Sequence, residues 1–280
     1  MQEQVARKLN ALEQRLRALE SVVVAFSGGV DSAVLLKVAV RTLGSPRVLA
    51  VTGRSPSVPR AELNSVAALA AELGAAHEFL DTAEFADPRY VSNPSERCYY
   101  CKTELYSRLV PLAAARGYRA VVGGTNRDDL GDFRPGLQAA NEQHVLAPLA
   151  EVGITKAEVR EIGAALGVPI HAKPASPCLS SRIPYGEPVT PEKLQRIDAA
   201  ETYLRELGFA ECRVRHHAQL ARIEVPATDL ARFANAELRA RVDARLRELG
   251  FQYVALDLRG FRSGSLNEVV PGARLRPSAR

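Results

Sequence analysis

The chain has no tryptophan, one methionine and only four cysteines among 280 residues, and 6% of it is aromatic. In a chain of this length and composition, four cysteines point to metal binding or catalysis rather than to a disulfide framework. No apolar run approaches the roughly 20 residues of a membrane span. The opening MQEQVARKLNALEQRLRALE reads as a charged amphipathic helix and not as a signal peptide, so a cytoplasmic location is expected. Charge of one sign is not concentrated anywhere. The net charge is +5, and after residue 185 there are 16 Lys/Arg against 13 Asp/Glu, an excess of +3 with no basic stripe, so nucleic acid is not an expected partner. With 46% hydrophobic and 25% charged residues, the chain is long enough for one large domain or two modest ones, and no internal repeat is evident.

What is present is concentrated in SVVVAFSGGVDSAVLLK, from Ser21 to Lys37. Val22, Val23, Val24, Ala25 and Phe26 form a short apolar, β-branched run, as in a strand buried on both faces of a parallel sheet. Gly28 and Gly29 let the backbone turn tightly and bring its amides close to an anion. From Asp31 onward Val34, Leu35 and Val38 recur at helical spacing, so the loop delivers its anion to a helix N-terminus, where orphan amides and the helix dipole favour negative charge. Ser27 and Ser32 add hydroxyl donors. Asp31 is a poor phosphate ligand and a good magnesium ligand, which points to a metal-bound polyphosphate. The string is neither the Walker lysine loop nor the GxGxxG turn. Ser27-Gly28-Gly29-Val30-Asp31-Ser32 resembles the SGGxDS signature of the PP-loop ATP pyrophosphatases. That resemblance implies cleavage of ATP between the α and β phosphates to activate a carboxylate, amide or carbonyl oxygen as an adenylate.

The alternation continues with a strand at 47–51, a helix at 59–73, a strand at 77–80, a helix at 101–115 and a strand at 119–122. It predicts an α/β fold, a parallel sheet covered by helices on both sides; the resemblance to the PP-loop ATP pyrophosphatases implies that this sheet is Rossmann-like, of the adenine nucleotide alpha-hydrolase-like kind. Ligands of such sheets bind beyond the carboxyl ends of the strands. A helix at 155–166 opens with Thr155 and Glu158 in capping-box spacing and ends before Gly167. The stretch HAKPASPCLSSRIPYGEPVTP, dense in Pro, Gly and Ser, reads as a functional loop or a linker. Beyond it the order becomes helix (191–207), strand (210–216), strand (221–225), helix (228–249) and strand (253–258). The expected domains are 1–185, binding ATP, and 186–280, a smaller α/β domain contributing to substrate binding and oligomerisation.

Cys98 and Cys101 form a CxxC at an expected helix start, compatible on its own with a redox pair, half a zinc site or part of an iron-sulfur site. The thioredoxin reading fails on context. Cys178, in PASPCLSSR, sits in a loop with no apolar periodicity to explain a buried thiol and reads as functional. Cys212, in the strand AECRVRHH, reads as a core residue.

With SGGVDS, SERCYYCK, GGTNRDDLGDFRPG and PASPCLSSR together, nearly the whole chain resembles the LarE family, ATP-dependent sulfur transferases. These thiolate a pyridinium biscarboxylate mononucleotide on the way to the nickel-pincer nucleotide cofactor of lactate racemase. The resemblance implies that Gly124, Thr125, Asn126 and Arg134 join Ser27, Gly28, Gly29, Asp31 and Ser32 in holding ATP. It also implies a [4Fe-4S] cluster on Cys98, Cys101 and Cys178 whose open iron carries a sulfide for transfer; family members with only the Cys178 match sacrifice that cysteine instead. Arg213 and Arg215 share one strand face, as residues two apart must, and with Glu224 they match a family site for the substrate's phosphate. Tyr99 and Tyr100 stand where a tryptophan occurs in some members, which leaves the residue stacking on the pyridinium open. A homo-oligomer acting on a small-molecule nucleotide substrate is implied.

Adenylation concentrates negative charge at the α-phosphate. Lys102, Arg134 and Arg182 are the candidate cations, and Asp31 with Asp128, Asp129 or Asp132 the candidate Mg2+ ligands. The expected catalytic set is Cys178, Asp31, Lys102 and Arg182. Rival readings are a tRNA thiolase with a three-cysteine cluster, an ammonia-using ligase, which leaves the cysteines unexplained, and a structural zinc protein sensing adenine nucleotide.

Overall fold

A computed structural model of the chain describes residues 1–131, 135–174 and 176–262. Arg134 and Asp132 lie outside the described residues. In chain order the elements are α1 (Glu3–Arg17), β1 (Val22–Ala25), α2 (Val30–Leu43), β2 (Val48–Arg54), α3 (Arg60–Glu72), β3 (Ala76–Asp81), a short α4 (Pro88–Val91), α5 (Arg97–Ala115), β4 (Ala120–Gly123), α6 (Pro135–Glu142), a short α7 (Pro148–Glu151) and α8 (Lys156–Ala165), followed by α9 (Pro191–Glu206), β5 (Arg213–His217), β6 (Leu220–Glu224), α10 (Ala236–Glu248) and β7 (Tyr253–Leu256). They fall into two compact units, 1–87 with 96–176 and 88–95 with 177–280.

In the first unit the strands are ordered β3-β2-β1-β4, all parallel. The β-branched run earns β1 its central place. Val22, Val23 and Val24 are fully buried and pair in register with Val48, Leu49 and Ala50 on one side and Ala120, Val121 and Val122 on the other. The chain winds outward from β1 through β2 to β3, then returns to the opposite side of β1 as β4. The carboxyl end of β1 is therefore the topological switch point, where such sheets bind ligands. The charged first helix is held by Val5, Leu9, Leu12 and Leu16, spaced four, three and four apart and all buried. Each contributes roughly 1.5–3 kcal/mol of burial. The capping box of α8 forms as expected: Glu158 N donates to Thr155 Oγ1, and Thr155 N donates to the Glu158 carboxylate.

The second unit begins at 177, earlier than the expected 186, and it takes in 88–95. Asn93 is the reason. Its Nδ2 donates to the carbonyls of Pro184 (2.7 Å) and Glu187 (3.0 Å), Gly186 N donates to Asn93 O, and Val189 N to Val91 O. These bonds staple a distant turn onto the proline-rich segment. The sheet runs β5-β6-β7, with β5 and β6 antiparallel and β6 and β7 parallel. Val214, His216, Ala221 and Ile223 face a core with Phe209, Val242, Leu246 and Phe251. Cys212 belongs to that core, 1% exposed, and burial pushes its thiol up to about 12. The helix expected over 228–249 is instead a 3-10 segment, Ala227–Ala234, followed by α10. Asn235 makes the break by accepting Leu238 N on its side chain, while Arg239 Nη1 donates to the carbonyls of Phe233 and Ala234. This local competition outweighs continuous apolar spacing.

Candidate functional site

The phosphate loop is organised by its own side chains. Phe26 N donates to Val51 O, and Thr52 Oγ1 donates to Phe26 O at 2.6 Å, which pins the exit of β1. Gly28 has φ +71, and a Cβ there would lie 3.2 Å from Val66 Cγ2. Ser32 Oγ donates to Gly29 O at 3.0 Å, so the 3.2 Å contact between Ser27 Oγ and Ser32 Oγ uses the Ser27 proton. Gly29 is the N-cap of α2 but offers no side-chain cap. Among the described residues the first amides of α2 thus have no intrahelical or side-chain capping acceptor, the arrangement that binds phosphate.

Opposite this turn the segment after β4 approaches as bare backbone. A Cβ on Gly124 would stand 2.8 Å from Ser32 N and 3.1 Å from the Asp31 carbonyl carbon, so only glycine fits. Thr125 is half-buried beside it. Asn126, 1% exposed, donates its Nδ2 to Asp31 Oδ1 at 3.3 Å. Its Oδ1 accepts Asp128 N, and its own N donates to Asp129 Oδ2. Asp128 Oδ2 accepts Lys156 N at 3.0 Å. The carboxylates of Asp128 and Asp129 thus build the loop, while Asp31, in the first turn of α2, is ion-paired with Lys156 Nζ.

Lys156 escapes sequence reading. It occupies the first residue of α8, where a cation opposes the helix dipole, and that misplacement is the signal that could have found it. Lys173 escapes as well. It pairs with Glu62 at 2.6 Å and lines, with Gly28, Val66, Leu69 and Ile170, a pocket of about 230 Å³.

Cys98 and Cys101 lie in the first turns of α5, three residues apart and hence on one side of the helix, Cys98 exposed and Cys101 half-buried. The helix begins at Arg97, one turn earlier than expected. Lys102 Nζ stands 5.6 Å from the Tyr106 ring centre. Tyr99 donates its hydroxyl to Glu142 at 2.7 Å and packs edge-on to Tyr100.

In the second unit Cys178 is half-buried and precedes the 3-10 turn Leu179–Arg182. Arg182, expected as a phosphate cation, has another task here. It is 1% exposed, its Nε and Nη2 donate to the two oxygens of Glu201 at 2.8 and 3.0 Å, and its Nη1 donates to Pro177 O and Cys178 O. It clamps the backbone that carries Cys178. Glu201, 0% exposed, also accepts Val214 N. A glutamate beside the buried stripe Leu194, Ile197, Ala200 and Leu204 was its visible mark.

Arg213 and Glu224 face each other across β5 and β6, as do Arg215 and Arg222. Arg215 Nη2 donates to Glu224 Oε2 at 2.7 Å, and its Nη1 to Ser181 O at 2.9 Å. Among the described residues Arg213 has no carboxylate partner; it donates to Cys212 O and lies 5.1 Å over the Phe261 ring. Burial, and then the Arg182 charge, lower its pKa. Its guanidinium is buried on the strand face from which Arg215 donates to the Cys178 loop at Ser181 O.

A two-serine, two-glycine turn into a helix N-terminus, at the switch point of a parallel sheet, defines a PP-loop nucleotide-binding protein. The family described as NAD synthase matches residues 4–93. An uncharacterised protein of Synechocystis sp. is 49% identical over 263 residues, 94% of this chain and 98% of its own. The pyridinium-3,5-bisthiocarboxylic acid mononucleotide synthase of Lactiplantibacillus plantarum is 40% identical over 271 residues, 97% of this chain and 98% of its own. The chain belongs to the family of that synthase, the LarE family that its motifs resemble.

Proposed function

We propose that the protein is an ATP-dependent sulfur transferase converting a carboxylate of pyridinium-3,5-biscarboxylic acid mononucleotide to the thiocarboxylate. The observation carrying this reading is Asp31 at the mouth of α2, held by Asn126 and Lys156 beside unengaged helix amides. ATP phosphates take those amides and the Ser27 and Ser32 hydroxyls. Asp31 would hold Mg2+, which neutralises polyphosphate charge, and its partly exposed carboxylate fits that role. The Lys156 ammonium released from Asp31 is then free to turn to the phosphates. The substrate carboxylate attacks the α-phosphorus, pyrophosphate leaves, and the acyl adenylate accepts sulfur while AMP departs. Arg213 and Arg215 take the substrate's phosphate.

Cys98, Cys101 and Cys178 would hold a [4Fe-4S] cluster, which when bound supplies sulfide. The one-turn spacing of the first two thiols fits two such ligands. Gly124 and Asn126 shape the nucleotide loop, and Arg182 positions Cys178. Thr125 and Lys102 complete the polar lining of the nucleotide site, Arg134 is a further cation for the ATP phosphates, Asp128 and Asp129 steady the loop, and the active form is a homo-oligomer. The test is incubation with Mg-ATP and the biscarboxylate mononucleotide. AMP and pyrophosphate released one for one are expected, and absence of pyrophosphate overturns the mechanism.

A further inference from the structure

Glu84 opens the 3-10 turn after β3 and is 2% exposed. Ser57 Oγ donates to its Oε1 at 3.2 Å; Oε2 is buried and, among the described residues, has no hydrogen-bond partner. The turn after β2 brings two hydroxyls to this carboxylate. Ser55 Oγ lies 2.7 Å from Ser57 Oγ and accepts Ser57 N at 3.1 Å. Both serines are buried. The Ser57 proton goes to Glu84, so the Ser55 proton goes to Ser57, and neither is left for Oε2. On the other flank Ala83 N donates to Glu104 Oε1 at 2.8 Å, which fixes the turn.

One weak bond from a neutral hydroxyl does not offset the desolvation of a buried carboxylate. The donors are all hard oxygens with lone pairs to spare, and they carry a single negative charge. Among the described residues no group of three His, Cys, Asp or Glu side chains is gathered as for a divalent ion, and divalent sites collect more carboxylates than this. We propose that Ser55, Ser57 and Glu84 form a site for one monovalent alkali cation, which neutralises Glu84 and ties the turns after β2 and β3 together at the carboxyl edge of the sheet.

The test compares thermal midpoints of the full chain in potassium, rubidium and tetramethylammonium chloride at equal ionic strength. Rubidium-soaked crystals are then measured by anomalous scattering. The wild type is expected to gain ~4 °C, saturably, in potassium or rubidium over tetramethylammonium, with a rubidium peak beside Glu84 Oε2. Glu84→Gln removes the charge and should make the midpoint independent of the cation. Ser57→Ala keeps the charge and should move half-saturation to higher cation concentration, which tests the site even if Glu84→Gln does not fold. Equal wild-type midpoints in all three salts, a response retained by Glu84→Gln, or no rubidium at the carboxylate would each overturn the proposal and leave a water or a proton there.

Discussion

Replacing Glu201 by Gln removes the counter-charge of a guanidinium that is 1% exposed and donates at 2.8 and 3.0 Å to both its carboxylate oxygens. Breaking one side of a buried ion pair costs about 3–5 kcal/mol, because the other charge stays buried and uncompensated. Val214 N, which donates to Glu201 Oε1 at 3.1 Å, competes for the one remaining acceptor and adds about 1 kcal/mol. The Arg205 contact involves a partly exposed side chain and adds little. The expected total is about 5 kcal/mol, confined to the second unit. The apolar double variant Arg182→Met with Glu201→Leu should cost less than Glu201→Gln alone, since no charge is stranded. The chain has no tryptophan, but Cys212, buried in the same unit, reports its opening. Thiol labelling of Cys212 across a urea series gives the unfolding free energy of that unit. Nucleotide affinity, measured in parallel, should stay within ~2-fold. A loss under ~1 kcal/mol, or a double variant worse than the single one, would refute the clamp.

His216 is 2% exposed, neither ring nitrogen has a hydrogen-bond partner among the described residues, and burial, aided by Lys193 and Arg196, lowers its pKa from 6.5 to about 4. The folded state keeps it neutral while the unfolded chain protonates below pH 6.5, so stability falls as pH drops from 6.5 to 4, by about 3 kcal/mol in all; His216→Phe should flatten that slope in acid-denaturation curves. Gly124→Ala places a methyl 2.8 Å from Ser32 N and should raise the ATP KM by about 100-fold, more than 2 kcal/mol of lost binding, in steady-state assays; an unchanged KM would mean the loop moves aside. Asp31→Ala should abolish AMP and pyrophosphate formation while the thermal midpoint shifts by only a few degrees, as scanning calorimetry would show.

The phosphate loop was legible because its chemistry is local. Two glycines, two serines and an aspartate between a buried β-branched run and a helical repeat determine a strand, an anion-binding turn and a helix whatever surrounds them. The capping box of α8 and the core place of Cys212 were legible for the same reason. Long-range pairing decided the rest. That Asn93 staples residues 88–95 to the proline-rich segment, that Arg182 is engaged by Glu201 and the Cys178 backbone, and that Lys156 meets Asp31 all join residues 91 positions apart, 19 apart and 125 apart in sequence. The first and last of these cannot follow from spacing, and the second depends on a helix and a loop turning toward each other. Sequence sets which charges exist; tertiary packing decides which of them desolvation forces into partnership and which, like Arg213 and Glu84, have no ion-pair partner among the described residues.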